Sequence, residues 1–271
     1  MIRSHFGLTQ NPFASENISL LSHQQEILDT IKVHCQQGGM CLILGESGTG
    51  KSVLKDTLKN FDNKRIIAPT IARTLHTYFN TLKILCQAFM IDFDGHVYRC
   101  EKRLIEEAFR HNSLGKMVAP IIDDAHLMDI DCLRKLRLLF EDFPKNHNLI
   151  LIGQPTLMTN INLSVNEDIK SRVTYSVIMP KLAPDNMEAW ILSEFDKVGL
   201  GHNTITPEAL GLIVRSAEGV LRRARNICLN SILEAIRDHV KQVDLKQVNK
   251  VLTQPHWRRE YDLDQITNQR G

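Results

Sequence analysis

Apolar residues along this chain fall into short unbroken blocks, set between longer stretches in which they recur every three or four positions. The blocks are Met40-Cys41-Leu42-Ile43-Leu44, Arg65-Ile66-Ile67-Ala68-Pro69, Val118-Ala119-Pro120-Ile121-Ile122, Leu149-Ile150-Leu151-Ile152 and Tyr175-Ser176-Val177-Ile178-Met179. Each has strand length and carries β-branched residues, so each predicts a strand, the first four buried on both faces and the last an outer one. Pro69 should stop the second. Pro120 should stand at the beginning of the third, because proline removes a ladder donor.

The spaced stretches predict helices. Residues 23–34 place Ile27, Ile31 and His34 on one face, and 53–61 align Leu54, Leu58 and Phe61. Residues 74–91 bring Leu75, Phe79, Leu82, Leu85, Cys86 and Phe89 inward, 101–111 form another helix, and 131–143 turn Leu133, Leu136, Leu139, Phe140 and Phe143 to the core. Strands alternating with helices of this length predict an α/β fold with a parallel sheet covered on both faces. From Pro180 onward only helical spacing remains: one helix with Met187, Trp190, Ile191 and Phe195, one opened by the cap Thr206-Pro207-Glu208, then 221–240 and 244–252. The expected division is an α/β domain at 1–180, a helical domain at 181–253 and a polar tail at 254–271. Residues 1–22 read as irregular, with Phe6 and Phe13 as anchors; they either staple over the domain or, with Ile18 and Leu20, wall a ligand pocket.

Composition adds boundaries. With 271 residues, 43% apolar and 24% charged, the chain reads as a globular protein of one large or two modest domains. A formal net charge of +2 announces no global field for nucleic acid, so any such surface is local. The six cysteines, Cys35, Cys41, Cys86, Cys100, Cys132 and Cys228, include no Cys-x-x-Cys pair, which argues against a disulfide framework or zinc site and for a reducing cytoplasm. No apolar run approaches the ~20 residues of a membrane span, and no signal peptide is expected.

The chemistry begins where the first strand ends. Gly45-Glu46-Ser47-Gly48-Thr49-Gly50-Lys51-Ser52 lies between a predicted strand and a predicted helix opening at Val53, the context a phosphate-binding loop requires. Its glycines let successive N–H groups converge on one concavity, and the helix start adds positive potential. Lys51 is placed to reach the β- and γ-phosphates, and the Ser52 hydroxyl to hold Mg²⁺. A turn that only links strand to helix does not need Lys-Ser directly after its last glycine. Asp123 and Asp124 end an apolar strand 72 positions after Lys51. In an ATPase built on such a loop the neighbouring strand delivers one carboxylate to the magnesium shell, and a second acid polarises the attacking water. Asp123 suits the first role and Asp124 the second. Gln154, at the tip of the 149–153 strand, either senses the γ-phosphate or satisfies loop backbone.

A parallel-sheet ATPase core followed by a helical lid resembles the AAA+ superfamily. More closely, Phe6-Gly7-Leu8 with Asn11-Pro12-Phe13, His23, the loop at 45–52, the acids at 123–124 and Gly153-Gln154-Pro155 resemble the ExeA-type (general secretion pathway A) ATPases. That group is similar in turn to regulators of DNA transposition such as the phage Mu B and TniB-like proteins. The resemblance implies a five-stranded P-loop core and a C-terminal lid, with ATP and Mg²⁺ as cofactors. It matches Gly45, Gly50, Lys51 and Ser52 to the nucleotide loop, Asp123 to the magnesium carboxylate, and Gln154 to the sensor. Asp124 stands where the family usually has glutamate. Arg172 falls at the arginine that a neighbouring subunit inserts into the site, and Arg222 at the lid arginine touching the γ-phosphate, although Leu221 replaces the proline often found before it.

The function implied is an oligomerising, DNA-binding accessory of transposition with double-stranded DNA and a transposase as partners, its basic clusters at 222–225 and 256–259 being candidates for DNA contact. Two alternatives stand beside it: a secretion-assembly ATPase, and an ATP-dependent binding switch with little turnover, suggested by Asp124. Secretion members generally continue into a membrane helix, and a chain ending at Gly271 favours the DNA reading.

Overall fold

The computed structural model describes residues 2–14, 19–60, 62, 65–71 and 77–257. Predicted positions Ile18, Phe61, Leu75, Arg258 and Arg259 lie outside the described residues. In chain order the elements are α1 (Ile2–Phe6), α2 (Ser22–Gln37), β1 (Gly39–Leu44), α3 (Lys51–Asn60), β2 (Ile66–Ile67), β3 (Thr70–Ile71), α4 (Tyr78–Ala88), α5 (Val97–Ser113), β4 (Met117–Val118), β5 (Ile121–Ile122), α6 (Ile130–Glu141), β6 (Asn148–Gly153), α7 (Thr156–Ile161), α8 (Glu167–Lys170) and β7 (Val173–Ile178). The helical remainder is α9 (Pro184–Asp196), α10 (Pro207–Ala217), α11 (Leu221–Arg237) and α12 (Leu245–Leu252). Two compact units result, Leu20–Pro180 and a second made of Met1–Ser19 with Lys181–Gly271.

The first unit holds a five-stranded sheet in the order β3-β5-β6-β1-β7, every pair parallel, with β7 at one edge. Side chains alternate across it as a strand's period of two demands. Met40, Leu42 and Leu44 of β1 enter one core with α4, α5 and α6, whereas Cys41 and Ile43 enter the other with α2 and α3. The sheet is therefore covered on both faces, and β1, buried from Met40 to Leu44, carries the loop out of its carboxyl end, where open α/β sheets bind ligands.

Two predicted strands differ from expectation for one shared reason. Residues 65–69 and 118–122 do not form single strands: β2 pairs with β4, β3 pairs with β5, and Pro69 and Pro120 lie between the paired pieces. Pro120 thus stands inside the strand region rather than at its beginning. Proline lacks only the donor, and both acceptors remain in use: Pro69 O takes the Ile121 N–H at 2.9 Å, and Pro120 O takes the Ile150 N–H at 2.9 Å. Phe79, expected inward, is 46% exposed and meets Phe93 edge-on at 4.8 Å, because α4 starts at Tyr78 with Thr77 as its cap.

The second unit buries Ile191, Phe195, Ile213, Ala217, Ile227, Ile232, Val248 and Val251 among its helices. The predicted cap is present, with Thr206 Oγ1 accepting the Ala209 N–H at 3.2 Å. Gly219 ends the α10 turn at φ +77°, where a Cβ would lie 2.7 Å from Lys181 Cβ and 2.8 Å from Leu182 O, so only glycine fits. The N-terminal segment, expected to be irregular and part of the α/β domain, contains α1 and belongs to this helical unit. Buried Phe13 sits 5.4 Å from the Trp190 ring and 6.1 Å from Phe195, so it anchors the segment on helices.

Candidate functional site

The loop at 45–52 is shaped by its glycines and by the strands beside it. Gly48 and Gly50 have φ of +88° and +96°, left-handed values that curl the backbone at no steric cost. Gly45 donates its N–H to Gly153 O of β6 at 3.1 Å, tying the base of the loop to the tip of the next strand. Thr49, buried, braces the turn by donating its hydroxyl to Glu46 O at 2.9 Å. Lys51 and Ser52 are the first two residues of α3, Ser52 exposed and Lys51 and Val53 half-buried. The Lys51 ammonium folds back to donate to Gly45 O at 2.7 Å and Glu46 O at 2.8 Å, across the mouth of the loop.

Asp123 follows β5, which is separated from β1 by β6, so the acid is not delivered by the strand beside the loop as the sequence suggested. The gap is bridged from α3. Lys55, one turn beyond Lys51, donates to Asp123 Oδ2 at 2.7 Å, with the two side chains 17% and 20% exposed. The other carboxylate oxygen, Oδ1, accepts the Asp124 N–H at 3.0 Å. Asp124 itself is exposed at φ +51°, a left-handed conformation that aspartate and asparagine tolerate better than other non-glycine residues. Gln154, half-buried, directly follows Gly153, and a Cβ on Gly153 would approach the His126 backbone N to 3.1 Å. The tips of β5 and β6 are therefore in close register beside the loop.

Two predicted residues lie elsewhere. Arg172 precedes β7, whose Val173 is paired with Met40 at the start of β1, at the end of the sheet opposite the loop. Its Nη2 meets Glu141 Oε1 at 2.6 Å, and Arg137 holds the same oxygen at 2.8 Å. Arg134 extends this cluster, bonding Asp168 at 3.1 Å and Asp131 at 2.8 Å, and its guanidinium holds the Asp168 carboxyl below the usual carboxylate range. Arg222, exposed, is the second residue of α11 in the helical unit.

Sequence reasoning missed Lys55 and Glu141. Lys55 was findable as a cation four positions from Lys51 on one helix face; Glu141 carried no local signal. The Ser52 hydroxyl and the Asp123 carboxylate are hard oxygen donors of the kind that suits Mg²⁺. The Lys55 ammonium on Asp123 indicates a carboxylate already turned toward a cation. Among the described residues no group of three or more His, Cys, Asp or Glu side chains could hold a metal by itself. No described helix is long and apolar enough to cross a membrane.

Residues 33–161 match the model of the AAA domain family. The chain is 26% identical to general secretion pathway protein A of Aeromonas hydrophila over 249 residues, covering 87% of this chain and 45% of that protein. Among solved structures it is similar to the ORC2 protein of Aeropyrum pernix (TM-score 0.69, 12% identity, 91% of this chain and 72% of that one). It is likewise similar to Cdc6p of Pyrobaculum aerophilum (0.69, 16%, 92% and 69%). A third likeness is to RuvB of Thermotoga maritima (0.58, 15%, 88% and 70%). This chain thus spans less than half the length of the secretion relative. The glycine loop on β1, the acids after β5 and the strand β6 between them all lie within the stretch that matches the AAA domain model, and the chain resembles an ExeA-type (general secretion pathway A) protein.

Proposed function

We propose that this ATPase binds ATP with Mg²⁺ at the loop of residues 45–53 and completes its active site only in an oligomer, where Arg172 of one copy reaches the nucleotide held by the next. The loop amides and Lys51 bind the phosphates. Ser52 and Asp123 hold the metal, which supplies charge neutralisation across the β- and γ-phosphates. Asp124 orients water and Gln154 reads the γ-phosphate. The observation that carries the oligomeric reading is the position of Arg172. It stands at the amino end of β7, one strand length from the loop of its own chain.

ATP then acts as an assembly switch: the bound triphosphate favours the assembled state, and hydrolysis loosens it. The role we favour is a cytoplasmic accessory to DNA transposition, working on double-stranded DNA with a transposase. The likeness to an ORC1 protein solved in complex with DNA supports the DNA part of this reading. A specific observation favours a second reading, ATPase of a secretion-assembly system: the curated relative that matches 87% of this chain is a secretion-pathway protein. Light scattering with a non-hydrolysed ATP analogue, with and without double-stranded DNA, separates them. Nucleotide-dependent assembly that DNA promotes supports the first reading; nucleotide-dependent assembly indifferent to DNA supports the second. A monomer under every condition, with ATP bound, sinks the shared oligomeric claim.

A further inference from the structure

We propose that Lys55 is a built-in counter-cation that occupies Asp123 in the metal-free site and sets how much Mg²⁺ the site needs. The proposal rests on the reading that Asp123 serves Mg²⁺·ATP, and it deepens that reading. Its basis is the 2.7 Å contact between Lys55 Nζ and Asp123 Oδ2, made between two side chains only about one-fifth exposed. Such a pair is shielded from salt and water far more than a surface ion pair.

Lys55 is three positions from Ser52 and four from Lys51 on the same face of α3, so neighbouring Cβ atoms are roughly 5–6 Å apart. A cation arriving between Ser52 and Asp123 therefore meets the ammonium at close range. Lys55 must release Oδ2 for the metal to take it. The Asp124 N–H on Oδ1 keeps the carboxylate oriented while the exchange takes place. The same ammonium has the opposite effect on metal-free ATP, whose phosphates it attracts. Lys55 thus narrows the difference between ATP and Mg²⁺·ATP, raising the metal concentration at which the site changes state.

The test is an Mg²⁺ titration of fluorescent ATP-analogue binding to the full chain, with Lys55→Met and Lys55→Arg. For Lys55→Met the metal midpoint should fall by about three- to tenfold, as expected for losing one cation beside a divalent ion. Its affinity for the analogue in chelator should weaken. Lys55→Arg, which keeps the charge, should stay within about twofold of the parent on both measures. An unchanged or higher midpoint in folded Lys55→Met overturns the proposal. Failure of the parent chain to retain the analogue at any metal concentration instead defeats the nucleotide reading beneath it.

If Lys55→Met does not fold, acylation of the parent chain followed by peptide mass analysis decides. Lys55 should be protected alone and with metal-free analogue, and should become reactive with Mg²⁺ and analogue together. Protection that persists with both present overturns the proposal.

Discussion

Replacing Arg172 by alanine separates a structural arginine from one that acts on another copy. In the structure the guanidinium meets Glu141 while 57% exposed. An exposed pair of that kind contributes only ~0–1 kcal/mol, so Arg172→Ala should leave the unfolding midpoint almost unmoved. Its effect on catalysis should be of another order. From Met40, the partner of Val173, to Gly45 is five residues along β1, roughly 17 Å at about 3.3 Å per residue. An arginine side chain falls well short of that span, so Arg172 cannot serve its own loop. If it serves a neighbour's, its removal should lower ATP turnover by ~10³–10⁵ while analogue binding persists. The assay is steady-state turnover above the assembly concentration, for Arg172→Ala, for Asp124→Asn and for an equimolar mixture of the two. Each variant alone should be inactive. In the mixture about a quarter of head-to-tail interfaces join an intact loop and acids to an intact arginine, so turnover should return to about that fraction. Near-parental turnover in Arg172→Ala, or a mixture no more active than its parts, would refute the reasoning.

Two further outcomes test the framework that carries the site. Burial lowers the pKa of His147, whose ring stacks on Phe140 at 5.3 Å, so the fold holds it neutral. Its folded-state pKa lies below the unfolded value near 6.5, so the unfolded chain binds the extra proton first. Stability is therefore full above pH 6.5 and declines as pH falls toward the folded pKa. His23 and His111 shift in the same direction, so urea midpoints of His147→Gln should show a shallower acid slope rather than none; an unchanged slope would count against a neutral His147. Gly219→Ala adds a Cβ 2.7 Å from Lys181 Cβ at φ +77° and should cost about 2–4 kcal/mol, from the left-handed backbone and the clash together. A loss below about 0.5 kcal/mol in urea unfolding would mean the turn relaxes freely.

What could be read from the sequence was what is local. The run 40–44, the glycine spacing and Lys51-Ser52 needed no partner elsewhere, because a strand, a turn and a helix start are each set by their own residues. The alternation of β1 between two cores followed directly from that run. The two interrupted strands were misread because each proline was considered alone. Seen side by side, Pro69 and Pro120 leave the ladder at one level and keep both carbonyls in use. Phe13 looked like a local anchor, but its partners Trp190 and Phe195 lie far along the chain, in the helical unit.

Asp124 shows where local and distant constraints meet. Read as a family position it is a shortened glutamate, a weakness in positioning water. In the structure it occupies a left-handed turn that lets its own N–H hold Asp123. Aspartate adopts that conformation more readily than glutamate. The residue identity thus answers a backbone demand. Asp123, held by that N–H and by Lys55 from 68 residues away, stands ready for a cation before any nucleotide arrives. The motif supplies the acids; the turn and α3 determine what cation they meet first.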